Sequence, residues 1–363
     1  MKGLYVHLPF CRNKCAYCGF YSETDCYDTQ ADYFKALISD LRSRKKHAYE
    51  TLYIGGGTPS TADRKLLASF LDAVSITCRW DFKESTIEAN PESIDKEFCR
   101  IVDFYKFSRV SIGCQSTSDD VLQKLTRIHS ASDIFHSYDM VRKLCPDTDV
   151  SLDMMYDIPG TQFESTYKTL KDLIALNPEH ISAYTYSFDT EFLKEGDADA
   201  TDFMVVRDEL ENAGYVKYEI SNFARPGHES MHNINYWMLG EYDGIGSSAW
   251  SLSYEDGKRI LRGKSDNLPE YIHSPKEYAE TEITEPPQTA LEEIVFGLRL
   301  AKGLDAEKIC TNVNAELKEK IYNLFSDLSE KELLSWDGSN VSLKKRGELL
   351  LDSVQSLLWQ LLA

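Results

Sequence analysis

Strand-like and helix-like runs alternate through the first half of this 363-residue chain, and that alternation narrows its folds more than any other feature. The strand-like runs are Gly3–Leu8, Thr51–Ile54, Thr86–Ala89, Arg109–Gly113, Val150–Met155 and Ile181–Tyr186. Between them, helical spacing marks Ala31–Lys46, Arg64–Ala73, Lys96–Tyr105, Asp119–Leu125 with Ser132–Leu144, and Ser165–Leu176. Strand, helix, strand at these separations makes parallel βα units. Six units without a dinucleotide-binding glycine fingerprint predict an incomplete (β/α)6 barrel rather than an open doubly wound sheet. In βα barrels the strand C-terminal ends carry the chemistry. Cys11 follows the first strand, Gly55–Ser60 the second, Asn90-Pro91 the third and Gln115-Ser116 the fourth.

Beyond about Ser187 the alternation fades. Residues 188–198 read as an acidic loop, followed by a helix near Asp202–Glu211 and a dense polar-aromatic block from Tyr215 to Trp250. Residues 255–288, charged and holding Pro269, Pro275, Pro286 and Pro287, read as a connection. From residue 290 the spacing predicts helices over Leu291–Leu300, Ala315–Phe325 and Glu348–Leu362, with a short hairpin around Leu334–Leu343. That is a small, mainly helical, winged-helix-like module. Leu350, Val354, Leu357, Leu358 and Leu361 form one apolar stripe on its last helix, as core packing requires. The α/β chain thus divides into a core barrel (1–225), a polar-aromatic segment with its connection (226–289) and a C-terminal module (290–363).

Cys11, Cys15 and Cys18 stand in CxxxCxxC spacing just past the first strand. Three thiolates can hold three irons of a [4Fe–4S] cluster and leave the fourth iron open. A structural zinc site would need a fourth ligand, and zinc usually takes paired CxxC units. Only His7 lies near, on the strand before the loop. The other cysteines (Cys26, Cys78, Cys99, Cys114, Cys145 and Cys310) lack such spacing, and most of them read as small buried hydrophobes. The net charge of −19 repels polyphosphate and argues against a nucleic-acid partner. Arg42, Arg44, Lys45 and Lys46 read as a solvated helix C-terminus. No run of eighteen apolar residues is present and no basic-apolar leader opens the chain, so a cytoplasmic protein is expected.

The remaining motifs each admit a plainer reading. Gly55-Gly56-Gly57-Thr58-Pro59-Ser60 lets a ligand approach the backbone or simply makes a tight strand-to-helix turn. Glu88, at a barrel mouth, needs a cation or a donor. Arg127 can fork a carboxylate. Arg109, Arg127 and His129 equally suit ion pairs at helix ends. Asp153 can accept from ribose hydroxyls. The block His232-Asn233-Ile234-Asn235-Tyr236-Trp237 suits axial ligation of a haem iron by His232, or a self-satisfied polar cluster over the barrel mouth.

Taken in order, Tyr5-x-His7-x-Pro9-Phe10-Cys11, GGGTPS, Glu88-Ala89-Asn90-Pro91, Arg109 to Ser116, Leu125-Thr126-Arg127-Ile128-His129, Tyr218 to Ala224 and HNxxYW resemble the HemW subfamily. This is the coproporphyrinogen oxidase-like branch of the radical S-adenosylmethionine (SAM) proteins. The resemblance covers nearly the whole chain, including a HemN-type C-terminal module. It implies a [4Fe–4S] cluster on Cys11, Cys15 and Cys18, with SAM on the fourth iron. It implies SAM contacts from Tyr5, Tyr17, Gly55, Gly56, Gly57, Thr58, Glu88, Gln115, Arg127 and Asp153. It also implies haem or porphyrin binding at or near His232, delivery to a recipient haemoprotein, and an electron donor that the sequence leaves unnamed. The alternative function is oxygen-independent oxidative decarboxylation of coproporphyrinogen III. The relatives with that activity carry a cysteine where this chain has Phe20, and a longer N-terminal extension. A radical SAM enzyme acting on an unrelated small molecule or methyl acceptor is a third reading. This chain also has Gly19 where the subfamily has Asp, and Asp157-Ile158-Pro159-Gly160-Thr161-Gln162 where Gly-x-Pro-Gly-Gln-Thr is usual.

Overall fold

In the computed structural model, which describes residues 1–44, 48–186 and 201–362, the expected alternation is present. The order is β1 (Lys2–Leu8), α1 (Gln30–Ser43), β2 (Thr51–Gly56), α2 (Arg64–Cys78), β3 (Glu84–Ala89), α3 (Lys96–Phe104), β4 (Arg109–Gln115), α4 (Asp119–Lys124), α5 (Ala131–Leu144), β5 (Asp149–Tyr156), α6 (Phe163–Leu176), β6 (His180–Thr185) and α7 (Thr201–Asn212). Next come β7 (Val216–Glu219), β8 (Asn222–Ala224), α8 (Met231–Trp237), β9 (Glu241–Ile245), β10 (Trp250–Glu255), β11 (Lys258–Gly263), α9 (Leu268–His273) and β12 (Glu280–Thr284). The C-terminal part holds α10 (Gln288–Gly297), β13 (Leu304–Asp305), α11 (Ala306–Ile309), α12 (Ala315–Glu330), β14 (Leu334–Trp336), β15 (Asn340–Leu343), α13 (Lys345–Leu349) and α14 (Leu351–Trp359). The end of the helix expected to reach Lys46, and the acidic run 188–198, lie outside the described residues.

β1 to β6 run parallel and side by side in chain order. β8 and β7 extend the sheet antiparallel beyond β6, while β9 pairs parallel with β1 and leads antiparallel into β10, β11 and β12. β1 and β6 do not meet, so the six-stranded arc stays open. Side chains alternate across it with period two. Leu4, Val6, Leu8, Leu52, Ile54, Val110, Ile112, Val150, Leu152 and Ile181 face outward and are buried in the main core. The opposite parity is polar: Tyr5, Tyr53, Glu88, Ser111, Asp153 and Ser182. Barrel interiors are ordinarily filled with branched apolar side chains; this one is lined as a chamber.

Local signals start the surrounding helices. Asp63 accepts the N–H groups of Lys65 and Leu66 to open α2, and Asp95 accepts that of Phe98 to open α3. Ser130 and Asp133 form a capping box on α5. A second core, including Leu291, Ile321, Phe325, Val354 and Leu358, holds the C-terminal part around the sheet β13-β15-β14. Val354 and Leu358 of the expected stripe are buried, whereas Leu357 is exposed.

One stretch departs from expectation. Residues 255–288, read as a connection, instead carry β11, α9 and β12, and Leu268 and Tyr271 lie in the main core. Charge hid the strand. Arg259 is buried because its Nε lies 2.6 Å from Glu292 and its Nη2 donates to Thr284 Oγ1 at 2.8 Å, so a polar letter stands where the pattern asks for an apolar one. β12 is an edge strand, and exposed Glu280 and Glu282 guard it. No helix among the described residues is long and apolar enough to cross a membrane.

Candidate functional site

β1 ends at Leu8, and the chain then folds back as a loop pinned at its base. Cys11 N–H donates to Glu23 O at 2.9 Å and Glu23 N–H to Pro9 O at 2.7 Å. The glycine turn after β2 packs against it, with Gly57 N–H donating to Leu8 O and Thr58 N–H to Phe10 O, both at 2.8 Å. A Cβ on Gly57 would sit 2.7 Å from the carbonyl carbon of Pro9. Gly56 has φ +108°, and a Cβ there would meet the His7 ring at 2.6 Å. These two glycines are therefore demanded by backbone closeness and backbone conformation.

The three predicted thiols share this loop, all partly exposed. Cys11 Sγ lies 3.3 Å from Thr58 Oγ1, Cys15 Sγ lies 3.6 Å from Arg127 Nη1, and Cys18 N–H donates to Cys15 O at 3.1 Å. Burial pushes the Cys11 thiol up, and the charges of Cys18 and Cys15 add to the effect. Among the described residues, no three His, Cys, Asp or Glu side chains converge on a point where one ion could sit. Three thiols on one loop are the donor set that can hold three irons of a four-iron cube and leave the fourth open.

Arg127 joins this loop to the strands. Its Nη2 donates to Asn90 Oδ1 at 2.7 Å and to Gly113 O at 2.5 Å, while Nη1 faces Tyr17 Oη at 3.4 Å as well as Cys15. The fork expected for a ligand carboxylate is thus already engaged. Asn90 also donates to Thr58 Oγ1 at 3.1 Å. The neighbouring Thr126 accepts from Asn13 Nδ2 at its carbonyl (2.6 Å) and from Ala16 N–H at its hydroxyl (2.9 Å). Gln115 takes φ +66° at a bulge that ends β4, which lifts it to the rim.

Below the loop lies the chamber. Tyr5 and Tyr53 stack with centroids 6.3 Å apart. Tyr53 Oη donates to Glu88 Oε1 at 2.7 Å, and Gly56 N–H to Glu88 Oε2 at 3.2 Å. Asp153 accepts from Ser111 Oγ at 3.2 Å and from Ser151 Oγ at 3.4 Å. Burial pushes Glu88 up to about 7, with Asp153 adding to it, and burial pushes Asp153 up to about 6. Both carboxylates accept hydrogen bonds from neutral donors, and neither forms an ion pair among the described residues. A ligand bringing an ammonium and hydroxyls fits these partners.

His232 lies on α8, which sits at the strand N-terminal ends and closes the chamber floor. The His232 ring meets Thr51 Oγ1 (2.8 Å) and Tyr236 Oη (2.9 Å), so both ring nitrogens are engaged. It is fully buried and held neutral, its pKa lowered by burial to about 3. Gly3, against this ring, and Leu8, at the base of the cysteine loop, are five residues apart on β1, about 16 Å along a strand. The polar-aromatic block therefore sits at the floor of the chamber rather than over its mouth. Glu84 fixes this floor: it accepts from the N–H groups of Met231 (2.8 Å) and His232 (3.0 Å) and pairs with Arg109 Nη1 at 2.9 Å.

Cys11, Cys15, Cys18, Tyr17, Thr58, Gln115 and Arg127 thus gather at the mouth. Tyr5, Glu88 and Asp153 line the chamber beneath, with Gly55, Gly56 and Gly57 on its wall. Sequence reasoning gave Tyr53 and Thr126 no role and weighed His7 only as a zinc ligand. The strand parity of Tyr53, two places before Gly55, was a usable signal for it. Asp157, standing where the subfamily has Gly, takes φ +54°, the region Gly favours and Asp tolerates.

Residues 5–173 match the radical SAM superfamily. The haem chaperone HemW of Escherichia coli (strain K12) is 34% identical over 276 residues, 71% of this chain and 72% of that protein. The haem chaperone HemW of Bacillus subtilis (strain 168) is 28% identical over 372 residues, 96% and 97% of the two chains. Coproporphyrinogen III oxidase (HemN) from Escherichia coli, a radical SAM enzyme, superposes with a TM-score of 0.82 at 20% identity, covering 98% of this chain and 89% of its own. That likeness establishes the fold.

Proposed function

The chain belongs to the HemW family of the radical SAM superfamily, and on that premise we propose that it binds haem and hands it to haemoproteins. In this reading Cys11, Cys15 and Cys18 hold a [4Fe–4S] cluster and the chamber holds SAM. Together these groups supply one-electron chemistry when bound. The protein's own part is orientation. Arg127 ties the cysteine loop to β3 and β4. Gly55, Gly56, Gly57 and Thr58 bring backbone close to the ligand. Glu88 takes the ligand's ammonium or a hydroxyl, Asp153 its ribose, and Tyr5, Tyr17 and Gln115 flank it. Residues 1–225 carry this site, 226–289 close its floor and extend its sheet, and 290–363 form the appended module. We place the protein in the cytoplasm.

The observation that favours a chaperone over an oxidase is Phe20. It lies 70% exposed two residues past Cys18, where the related oxidases carry a cysteine. Anaerobic reconstitution followed by parallel assays tests the reading. Retained haem with no protoporphyrinogen formed from coproporphyrinogen III is expected. Porphyrinogen turnover would move the function to the oxidase alternative, and a folded, cluster-loaded protein that retains no haem would end the chaperone reading. Cys15→Ala should lose most iron and sulfide while the barrel stays folded.

A further inference from the structure

We infer that α8 is a floor through which His232 and Tyr53 position Glu88 for SAM, making the HNxxYW segment a support of the SAM site rather than a haem ligand. The inference rests on the reading of Glu88 as a SAM contact. The connection is continuous. The His232 ring is clamped between Thr51 and Tyr236 and lies nearly parallel to the Tyr53 ring, with centroids 5.2 Å apart and planes at 27°. Tyr53 carries its hydroxyl to Glu88, and the second carboxylate oxygen accepts from Gly56. A ring clamped at both nitrogens cannot turn, so the face it offers Tyr53 is fixed.

The backbone makes room for this arrangement. A Cβ on Gly3 would lie 2.9 Å from His232 Cε1, so only glycine lets β1 pass the ring. A Cβ on Gly55 would lie 2.7 Å from Glu88 Oε2, so glycine is again what leaves the carboxylate its place. The helix itself cannot drift, because Glu84 holds its first N–H groups and is locked to Arg109. Among the described residues, Tyr53 and Asp153 are the titratable groups that shift Glu88, and Tyr5, Tyr184 and Tyr236 lie close enough to feel its charge. The Tyr53 hydrogen bond favours its ionised form, while burial and Asp153 oppose it.

The test measures SAM affinity by equilibrium dialysis on anaerobically reconstituted protein between about pH 6 and 9, with haem absorption spectra and thermal melts alongside. Wild type should lose affinity as the pH falls through about 7, where Glu88 takes up its proton. Tyr53→Phe keeps the ring stack and removes the hydroxyl. It should move that midpoint upward and weaken binding at neutral pH by about tenfold, the loss of one hydrogen bond to a charged group. His232→Ala should move the midpoint the same way, His232→Asn should restore part of it through Thr51, and the haem spectra should not change. If His232→Ala does not fold, Tyr53→Phe alone decides. Unmoved midpoints in folded variants overturn the positioning role, and so does loss of the haem band in His232→Ala with SAM binding intact. Wild type that takes up no SAM at any pH overturns the assignment of the chamber itself.

Discussion

At the residue scale, the site is organised by single atoms that leave no alternative. Gly57 has backbone on the side where a Cβ would go. Gly57→Ala should therefore push the glycine turn away from Pro9, cost about 1–3 kcal/mol in urea unfolding, and lower the iron bound after reconstitution. Burial of Glu88 comes at the expense of stability near neutral pH. Its pKa rises on folding, from the ordinary 4.5 to about 7. The folded state therefore favours the protonated form, a contribution fully present below about pH 4.5 and lost as the pH rises through about 7. Glu88→Gln removes this dependence. It should stabilise the protein by about 1–3 kcal/mol at pH 8 and lose that advantage towards pH 4.5, while SAM binding falls. Denaturation curves at the two pH values check the sign.

At the element scale, α8 shows how a short helix is held by something other than its own propensity. Seven residues are too few to be stable alone. Glu84 supplies what is missing, accepting from the first turn and ion-pairing with a buried arginine. Glu84→Ala would strand Arg109 and uncap α8, and should cost about 3–5 kcal/mol. Asp32→Ala breaks an exposed pair with Lys35 (side chains 66% and 77% accessible) and should cost less than about 0.5 kcal/mol. Equal losses in the two variants, by chemical denaturation, would contradict this account of the floor. β11 teaches the complementary lesson. Arg259 and Glu292 neutralise one another inside the protein, so a buried strand was spelled with the letters of a loop.

For the whole molecule, charge and topology set the remaining expectations. A net charge of −19 in one chain repels itself. Raising salt from about 20 to 200 mM shortens the screening length and should raise the melting temperature by a few degrees; a fall would show that exposed ion pairs outweigh the repulsion. The βα alternation was legible because each strand buries an apolar face under helices and each helix an apolar stripe, which writes periods of 2 and 3.6 into the chain. The cysteine loop was legible because cluster chemistry needs thiols at fixed short spacing. Those requirements are local, and the sequence alone determined them: the parallel barrel, the thiol triad, and the glycine turn beside it. Which end of the barrel each motif occupies is a matter of long-range packing. Only the tertiary structure showed that His232 meets Thr51 and Tyr53 at the floor, 181 and 179 positions away in the chain, and that Arg259 sits against Glu292. The physical reason is that the partners of a buried polar group come from remote segments, and no local pattern records which ones they are.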